Sequence, residues 1–408
     1  MARRHIVQRI AVGSILLAVL IANVVITHNQ FTAPNPGMND FLSRWEGARS
    51  FWVDGVSPYS DEASLNIQQM IYGRAAESGE DLGLFAYPMY TVFYVLPVVT
   101  LPYAWASAVW MVLLEVCLIA GLFLLLGTLR WQPGPLLLAL LLAFSVLNYF
   151  AFRGLILGQP GHIVYLMTAL TLWSLSRGRD VLAGVALALS TIKPQMGFLL
   201  VPFLLLWGLR AGRWRFVIGF AGVFAALMLT SFALQPDWFF DWIGQVRQYP
   251  EYTRDGSPVW ILFEFFLGWS PWVGYAVRAV LVGWMLWAWY GVLVQRKDER
   301  LLWTIAVTLA VTHTAGPRTA TPHFVVFMLV LLVAVQSLAR HRNNIWNVGI
   351  LLALLVIPWV HFLRTIVGSN LENLSVFLPP VVLVLLTLIF TRRMWWSLPP
   401  MLSQPEKV

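Results

Sequence analysis

The chain has 408 residues, of which 59% are hydrophobic and only 11% are charged, and its net charge is +8. A soluble domain carries roughly 25% charged residues, so this composition excludes an ordinary soluble protein and indicates a membrane protein. Only helices and closed barrels satisfy their backbone groups in hydrocarbon, and strand-like alternation is absent from the sequence. We therefore predict an all-α polytopic membrane protein, with no nucleic-acid partner, because the basic residues cluster between apolar runs.

The apolar runs predict about twelve membrane-spanning helices, since each span needs about 20 apolar residues. The clearest runs are 10–27, 103–128, 216–234, 273–295, 323–339, 346–363 and 375–391, and shorter ones lie near 135–150, 161–176, 181–192, 194–209 and 301–314. The run 86–101 contains Pro88 and Pro97, so we expect a re-entrant or half helix there. The prediction is one integral membrane domain over 1–400 and a short tail over 401–408.

The distribution of Lys and Arg predicts which loops face the cytoplasm. Inside we place both termini and the basic groups Arg130, Arg177/Arg179, Arg210/Arg213/Arg215, Arg296/Lys297/Arg300, Arg340/Arg342 and Arg392/Arg393. The outer side then receives 28–85, 153–161, 193–195, 235–272, 312–322 and 364–374, which hold most of the unusual polar residues. We therefore predict a multi-pass protein of the cytoplasmic membrane of the cell, with its active face outside.

The first outer loop, 28–85, has eight acidic and three basic residues. Within it, 39–54 is predicted to form an amphipathic helix, because Phe41, Trp45, Ala48 and Trp52 share one stripe. Asn39 and Gly55 suit its start and its end. Aromatic residues on one face and charges on the other favour a helix that lies on the membrane surface.

Asp40 falls in the first turn of that predicted helix, where the helix dipole favours a negative charge. A carboxylate at this point could act as a general base towards a sugar hydroxyl. The alternative is an acid that only stabilises the helix start. Glu46 and Asp54 could instead be the base, although an acid in such a position is more often a solvated surface residue.

Lys193 lies in Ser190-Thr191-Ile192-Lys193-Pro194-Gln195, between two apolar runs. A charged group at this depth is costly, which marks it as a functional candidate. Pro194 breaks the helix, and the freed backbone groups need a cavity or protein around them. The ammonium could bind a phosphate, or it could be a lysine that extends from a helix end towards water.

Two further breaks carry polar residues. The first, 158–162, holds Gln159 and His162 and follows Arg153, and it could bind substrate or be an ordinary turn. The second, 312–323, holds Arg318, whose guanidinium suits a phosphate, and His323, which could donate a hydrogen bond or transfer a proton. The alternative for the second is an outer hairpin loop with polar caps.

No nucleotide-binding glycine loop, nucleophile elbow or metal-ligand spacing is present in the sequence. We therefore predict no cofactor and no metal site. An enzyme on the outer face would need a lipid-borne donor.

The order of several motifs resembles the polyprenyl-phosphate-mannose-dependent mannosyltransferases of glycosyltransferase family 87, which have a GT-C fold. The resemblance spans about residues 10–335. It rests on Asp40-Phe41, Gly55-x-x-Pro58-Tyr59, Tyr87-Pro88, Gly158-Gln159, Arg177-Gly178-Arg179, Ala183-Gly184, Lys193-Pro194 and Arg213-Trp214-Arg215. Met89, where the family often has a second proline, and the late loop 316–323 depart from the pattern.

The resemblance implies a GT-C-like helical protein that transfers mannose or another hexose from a polyprenyl-phosphate donor to a hydroxyl of a lipid- or glycan-linked acceptor. The displacement would invert the anomeric carbon, with Asp40 as the base. Lys193 matches the Lys-Pro position of the family, and Arg318 and His323 match more loosely as further donor-phosphate ligands. Possible substrate-binding residues are Gln159, His162, Arg153, Tyr59 and Glu46.

Two other functions fit a membrane protein with these features. A glycan polymerase or ligase usually has a large late outer loop with several arginines, whereas the largest outer loop here comes first and is acidic. A transporter or flippase of lipid-linked sugars usually shows two related halves, and none are evident here. A membrane glycosyltransferase is the function that the sequence favours.

Overall fold

A computed structural model describes residues 2–37, 39–252, 256–341, 344–368, 371–398 and 402. Across these residues the chain is helical, and its one pair of bridged β residues is Val367 and Leu371. The all-α prediction is confirmed. The predicted tail, apart from Leu402, lies outside the described residues.

The helices follow the apolar runs closely. The α-helices are α1 Ala2–Thr27, α2 Phe41–Arg49, α3 Asp61–Tyr72, α4 Thr91–Val95, α5 Tyr103–Thr128, α6 Pro135–Leu147, α7 Tyr149–Ile156, α8 Gly161–Ser176, α9 Asp180–Leu189, α10 Pro194–Gly197, α11 Leu200–Arg210, α12 Trp214–Leu234, α13 Trp238–Tyr252, α14 Pro258–Trp260, α15 Pro271–Leu293, α16 Leu301–Ala315, α17 Met328–His341, α18 Asn344–Thr365, α19 Leu378–Phe390 and α20 Arg392–Trp396. Short 3-10 or π-helical turns extend several of them.

Within the part of the chain that the structure describes, six helical segments are long and apolar enough to cross a membrane: Ile10–Thr32, Tyr103–Thr128, Trp214–Leu234, Pro271–Leu293, Thr321–Arg340 and Ile345–Thr365. A seventh is possible if α6 and α7, which meet at a bend of 44°, form one broken span. The chain is therefore a multi-pass membrane protein.

The predicted count of about twelve crossings is not confirmed. Several of the expected spans are real helices, but they are too short for the span length of about 20 residues. These shorter apolar helices are Asp180–Ile192, Leu200–Arg210 and Leu374–Phe390. In 86–101, α4 and a 3-10 turn over Leu96–Val98 form only a short helical segment.

The chain divides into two compact units that alternate along the sequence. Unit 1 comprises 1–116, 155–159 and 230–253, and unit 2 comprises 117–154, 160–229 and 254–408. The candidate base Asp40 belongs to unit 1. Lys193, Arg318 and His323 belong to unit 2. A single domain over 1–400 stays a prediction.

The first loop helix begins where the sequence predicts, but its charged side chains are not exposed as predicted. α2 continues through a π-helical turn over Ser50–Asp54 and ends at Gly55, whose φ of 71° suits a left-handed C-cap. However, Arg44 and Glu46 are as buried as Phe41 and Trp45. An amphipathic surface helix is not confirmed, because these two charged side chains face protein.

Candidate functional site

Asp40 stands at the start of α2 and is exposed. Its backbone is helical, and the Asn39 side chain accepts a hydrogen bond from the Phe41 N–H at 3.1 Å, which stabilises this first turn. One carboxylate oxygen, Oδ2, accepts a hydrogen bond from the Gln159 amide Nε2. The predicted base and the predicted substrate-binding glutamine are therefore direct neighbours within unit 1.

Arg44 lies one turn after Asp40 and is only 3% exposed. Its guanidinium donates to the Asp40 carbonyl, to the Tyr87 hydroxyl and, at 3.4 Å, to the Gln159 side-chain oxygen. It also lies over the Tyr87 ring, 4.4 Å from the ring centre. Because Oε1 of Gln159 faces Arg44, Nε2 faces Asp40, so Arg44 fixes the orientation of the amide.

Gly158 brings Gln159 to this position. Its φ of +63° is unfavourable for a residue with a Cβ, and a Cβ here would lie 2.6 Å from Cβ of Phe41. The Gly158 carbonyl accepts from the Trp110 indole at 2.9 Å, and the Trp110 ring stacks on Phe41 at 4.6 Å between centres. The helix break that the sequence predicts at 158–162 therefore serves close packing against α2.

Two other first-loop candidates are engaged within the protein. The Tyr59 hydroxyl donates to the Tyr87 carbonyl at 2.7 Å, so Tyr59 supports the ring that holds Arg44. Glu46 is 4% exposed and lies 3.9 Å from Arg49, and burial raises the pKa of its carboxyl. The rival base Asp54 pairs with Arg49 at 3.0 Å.

Lys193 is buried within unit 2, between a 3-10 turn over Ser190–Ile192 and α10. α10, which follows Lys193, packs against α16, whose last turn holds His313. The Thr319 hydroxyl lies 3.4 Å from Nδ1 of His313 and 3.3 Å from Nδ1 of His323, and the two imidazole centres are 5.7 Å apart. Lys193, His313 and His323 therefore mark one polar region of unit 2.

Arg153 faces an acid that the sequence analysis missed. Glu372 lies 3.7 Å from Nε of Arg153 and accepts hydrogen bonds from Thr321, at 2.6 Å, and from the Tyr149 hydroxyl. The ion pair offsets the charge of Arg153. Glu372, in the segment between α18 and α19, therefore connects α7 to the 3-10 turn that begins at Thr321.

His162 is fully buried, and its Nε2 lies 2.9 Å from the Ala151 carbonyl. A Cβ on Gly154 would collide with its ring at 2.1 Å, so glycine makes room for this histidine. Arg318 is half-buried in the loop between α16 and the 3-10 turn Thr321–Phe327. Across the described parts of the chain, no group of three His, Cys, Asp or Glu side chains could hold a metal ion.

Sequence reasoning missed Arg44, His313 and Glu372. The spacing of four between Asp40 and Arg44 could have indicated a contact on one helix face. His313 stood in the polar loop 312–323 without an assigned role. Glu372 had no local signal, because its partners are distant in sequence.

The chain matches the family model of glycosyltransferase family 87 over residues 85–316. The matched region holds Gln159 and Lys193, whereas Asp40, Arg318 and His323 lie outside it. No curated protein matches the chain. Because the family match covers more than half of the 408 residues, the chain belongs to glycosyltransferase family 87 and is a membrane glycosyltransferase.

Proposed function

We propose that the protein transfers mannose or a related hexose from a polyprenyl-phosphate donor to a hydroxyl of a lipid- or glycan-linked acceptor. The reaction takes place on the outer face of the cytoplasmic membrane, with both termini inside, and needs no cofactor. Membership of glycosyltransferase family 87 supports the class of reaction. The observation that carries the assignment of the base is the exposed Asp40 carboxylate, hydrogen-bonded on one oxygen by an amide whose orientation Arg44 fixes.

Asp40 acts as the general base. The acceptor oxygen attacks the anomeric carbon while its proton passes to the Asp40 carboxylate, and the bond from that carbon to the lipid-phosphate oxygen breaks with its electron pair. The product has the inverted anomeric configuration. Gln159 and Arg44 are positioning residues, because they act on the substrate only through the carboxylate that they hold.

The departing lipid phosphate gains negative charge as the glycosidic bond breaks. Cationic and hydrogen-bonding side chains aimed at such charge stabilise the transition state. Lys193, Arg318 and His323 supply this stabilisation. His313 lies beside His323, with the Thr319 hydroxyl between the two imidazoles.

Direct contact with the substrate is less favoured for the remaining candidates than for Gln159. Tyr59 supports Tyr87, Arg153 pairs with Glu372, and His162 packs against α7, so their side chains are engaged within the protein. Glu46 and Asp54 are weaker candidates for the base than Asp40, since one is buried and the other is paired with Arg49. Family membership favours a transferase over a flippase of lipid-linked sugars.

The test is donor use by purified protein in vesicles. We expect transfer of label from a polyprenyl-phosphate hexose to a lipid or oligosaccharide acceptor, and no transfer from the corresponding nucleotide hexose. The anomeric configuration of the product, read by nuclear magnetic resonance, is expected to be opposite to that of the donor. Transfer from the nucleotide sugar alone, or retention of configuration, would overturn the proposal.

A further inference from the structure

Helix α13 has three chemically distinct faces. Trp238, Trp242 and Gln245 point towards the rest of unit 1, since Trp238 and Gln245 are buried. Asp241 and Gln248 are exposed and polar. The third face is apolar apart from Arg247, and helical spacing places Phe239, Phe240, Ile243 and Val246 along it.

The first face binds the outer loop of unit 1. The Gln245 side chain accepts from the Ala86 N–H at 2.9 Å and donates to the Tyr59 carbonyl at 3.2 Å. The Trp242 indole donates to the Ala86 carbonyl at 3.3 Å, and Trp238 contacts the Tyr90 ring edge-on. The helix is therefore held at a fixed rotation about its axis.

That fixed rotation leaves the apolar face uncovered. Phe240 is 75% exposed, Val246 is 39% exposed and Phe239 is 37% exposed. A phenylalanine side chain this exposed to water lacks the favourable transfer free energy that an apolar environment provides. An apolar environment around this face would recover that free energy.

The start of α13 lies at the end of a membrane span. α12 ends at Leu234, and only three residues separate it from α13. The Trp238 ring packs on Phe232, in the last turn of α12, with centres 5.4 Å apart. Since α12 is long and apolar enough to cross the bilayer, α13 begins at the level where hydrocarbon meets head groups.

We propose that α13 lies in the plane of the membrane surface and buries Phe239, Phe240, Ile243 and Val246 in the phospholipid leaflet. Helices with one apolar and one polar face occupy this boundary, with the apolar side chains about 5–10 Å into the leaflet. Arg247 is exposed, and helical spacing places it between Ile243 and Phe240, so its long side chain can extend from this face to a lipid phosphate. The partner is therefore the lipid surface.

A helix α13 bound to the membrane surface would also contact the loop that carries Asp40. The face opposite the lipid holds Tyr59 and Ala86, and Tyr59 in turn holds Tyr87, the partner of Arg44. The leaflet is thereby linked through α13 to the loop that carries Asp40. The inference stands without the proposed reaction, because it rests only on the exposed face and the neighbouring span.

The test measures depth with a nitroxide label in vesicles of phosphatidylethanolamine and phosphatidylglycerol. Single cysteines replace Phe239, Phe240 or, as the matched control on the polar face, Gln248, in a Cys117→Ala background. All three labelled positions are on the surface, so the label leaves the packed side of α13 intact. If Cys117→Ala lowers the yield, the native Cys117 is retained, since it is 3% exposed.

We expect the labels at Phe239→Cys and Phe240→Cys to collide several-fold more with oxygen, and several-fold less with a water-soluble nickel chelate, than the label at Gln248→Cys. Equal collision with the nickel chelate at the three positions would show that the face is in water. Protection of Phe239→Cys and Phe240→Cys from both agents would show that protein covers it. Either of these two results overturns the proposal.

Discussion

The amide of Gln159 offers a sharp test, because it contacts the proposed base and is otherwise enclosed. Gln159 is 7% exposed, donates to Asp40 and accepts from Arg44. Replacing it with leucine keeps the approximate volume and removes both hydrogen bonds. We expect the Asp40 carboxylate to lose its fixed orientation while α2 stays folded.

The magnitude follows from the type of hydrogen bond. A hydrogen bond to a charged group contributes about 1.5–3 kcal/mol, and each 1.4 kcal/mol corresponds to about a tenfold change in rate. Gln159→Leu is therefore expected to lower kcat by about 10- to 150-fold. KM for the donor is expected to change less than kcat, because in the proposed mechanism the amide acts on the substrate only through the Asp40 carboxylate.

Gln68 is the matched control. It is also buried in the first loop, at 8% exposed, and its amide bridges two backbone groups, the Leu82 carbonyl at 2.9 Å and the Ala76 N–H at 2.8 Å. Gln68→Leu should lower the thermal midpoint by a similar amount and leave kcat of the folded enzyme unchanged.

The assay is the initial rate of transfer across pH, with unfolding followed by intrinsic fluorescence. Gln159→Glu adds a diagnostic result, because two carboxyl groups in contact share a proton. Its acidic limb of kcat/KM should move to higher pH, which a purely structural defect would not produce. Wild-type kcat in Gln159→Leu, or equal losses in the two leucine variants, would refute the positioning role.

Three further predictions concern other residues of the two units. Lys193→Ala should raise KM for the donor, or lower kcat, by about tenfold or more through loss of a charged contact; unchanged initial rates would show that Lys193 is structural. Gly158→Ala should lower the free energy of unfolding by more than about 1 kcal/mol, measured by denaturant titration, because its φ is positive and Phe41 blocks a Cβ; an unchanged midpoint would contradict the close packing. Burial raises the pKa of the Glu46 carboxyl, so its charged form lowers the stability of the folded protein as the pH rises. Glu46→Gln should therefore raise the thermal midpoint more at pH 7.5 than at pH 4.5. Equal shifts of the midpoint at the two pH values would contradict this.

Local patterns predicted the elements well, because each depends on nearby residues. The apolar run ahead of Arg130 became α5 with the predicted bounds, Tyr103–Thr128, and Gly55 ends the first loop helix in a left-handed conformation. The start of α2 at Asp40 and Phe41 likewise follows from the sequence. The number of membrane spans could not be predicted from the sequence, because a short apolar run does not reveal whether its helix is long enough to cross the membrane.

The sequence identified several residues of the candidate site, but it did not predict which of them contact each other. Asp40 and Gln159 were separate candidates, 119 residues apart, and their hydrogen bond depends on packing that sequence spacing cannot show. Charged residues on α2 were expected to face outward, yet Arg44 is buried because three acceptors surround its guanidinium. Arg153 likewise pairs with Glu372 through a distant loop.

The most direct test of the central claim is transfer by Asp40→Asn in vesicles that contain the polyprenyl-phosphate hexose. A positioned base contributes about 10²–10⁴-fold, so the account predicts a loss of that size with donor binding retained. Glu46→Gln and a substitution of the exposed acid at the start of α3, Asp61→Asn, keep near-wild-type rates. An undiminished rate in Asp40→Asn, or an equal loss in Glu46→Gln, would contradict the assignment of Asp40 as the base.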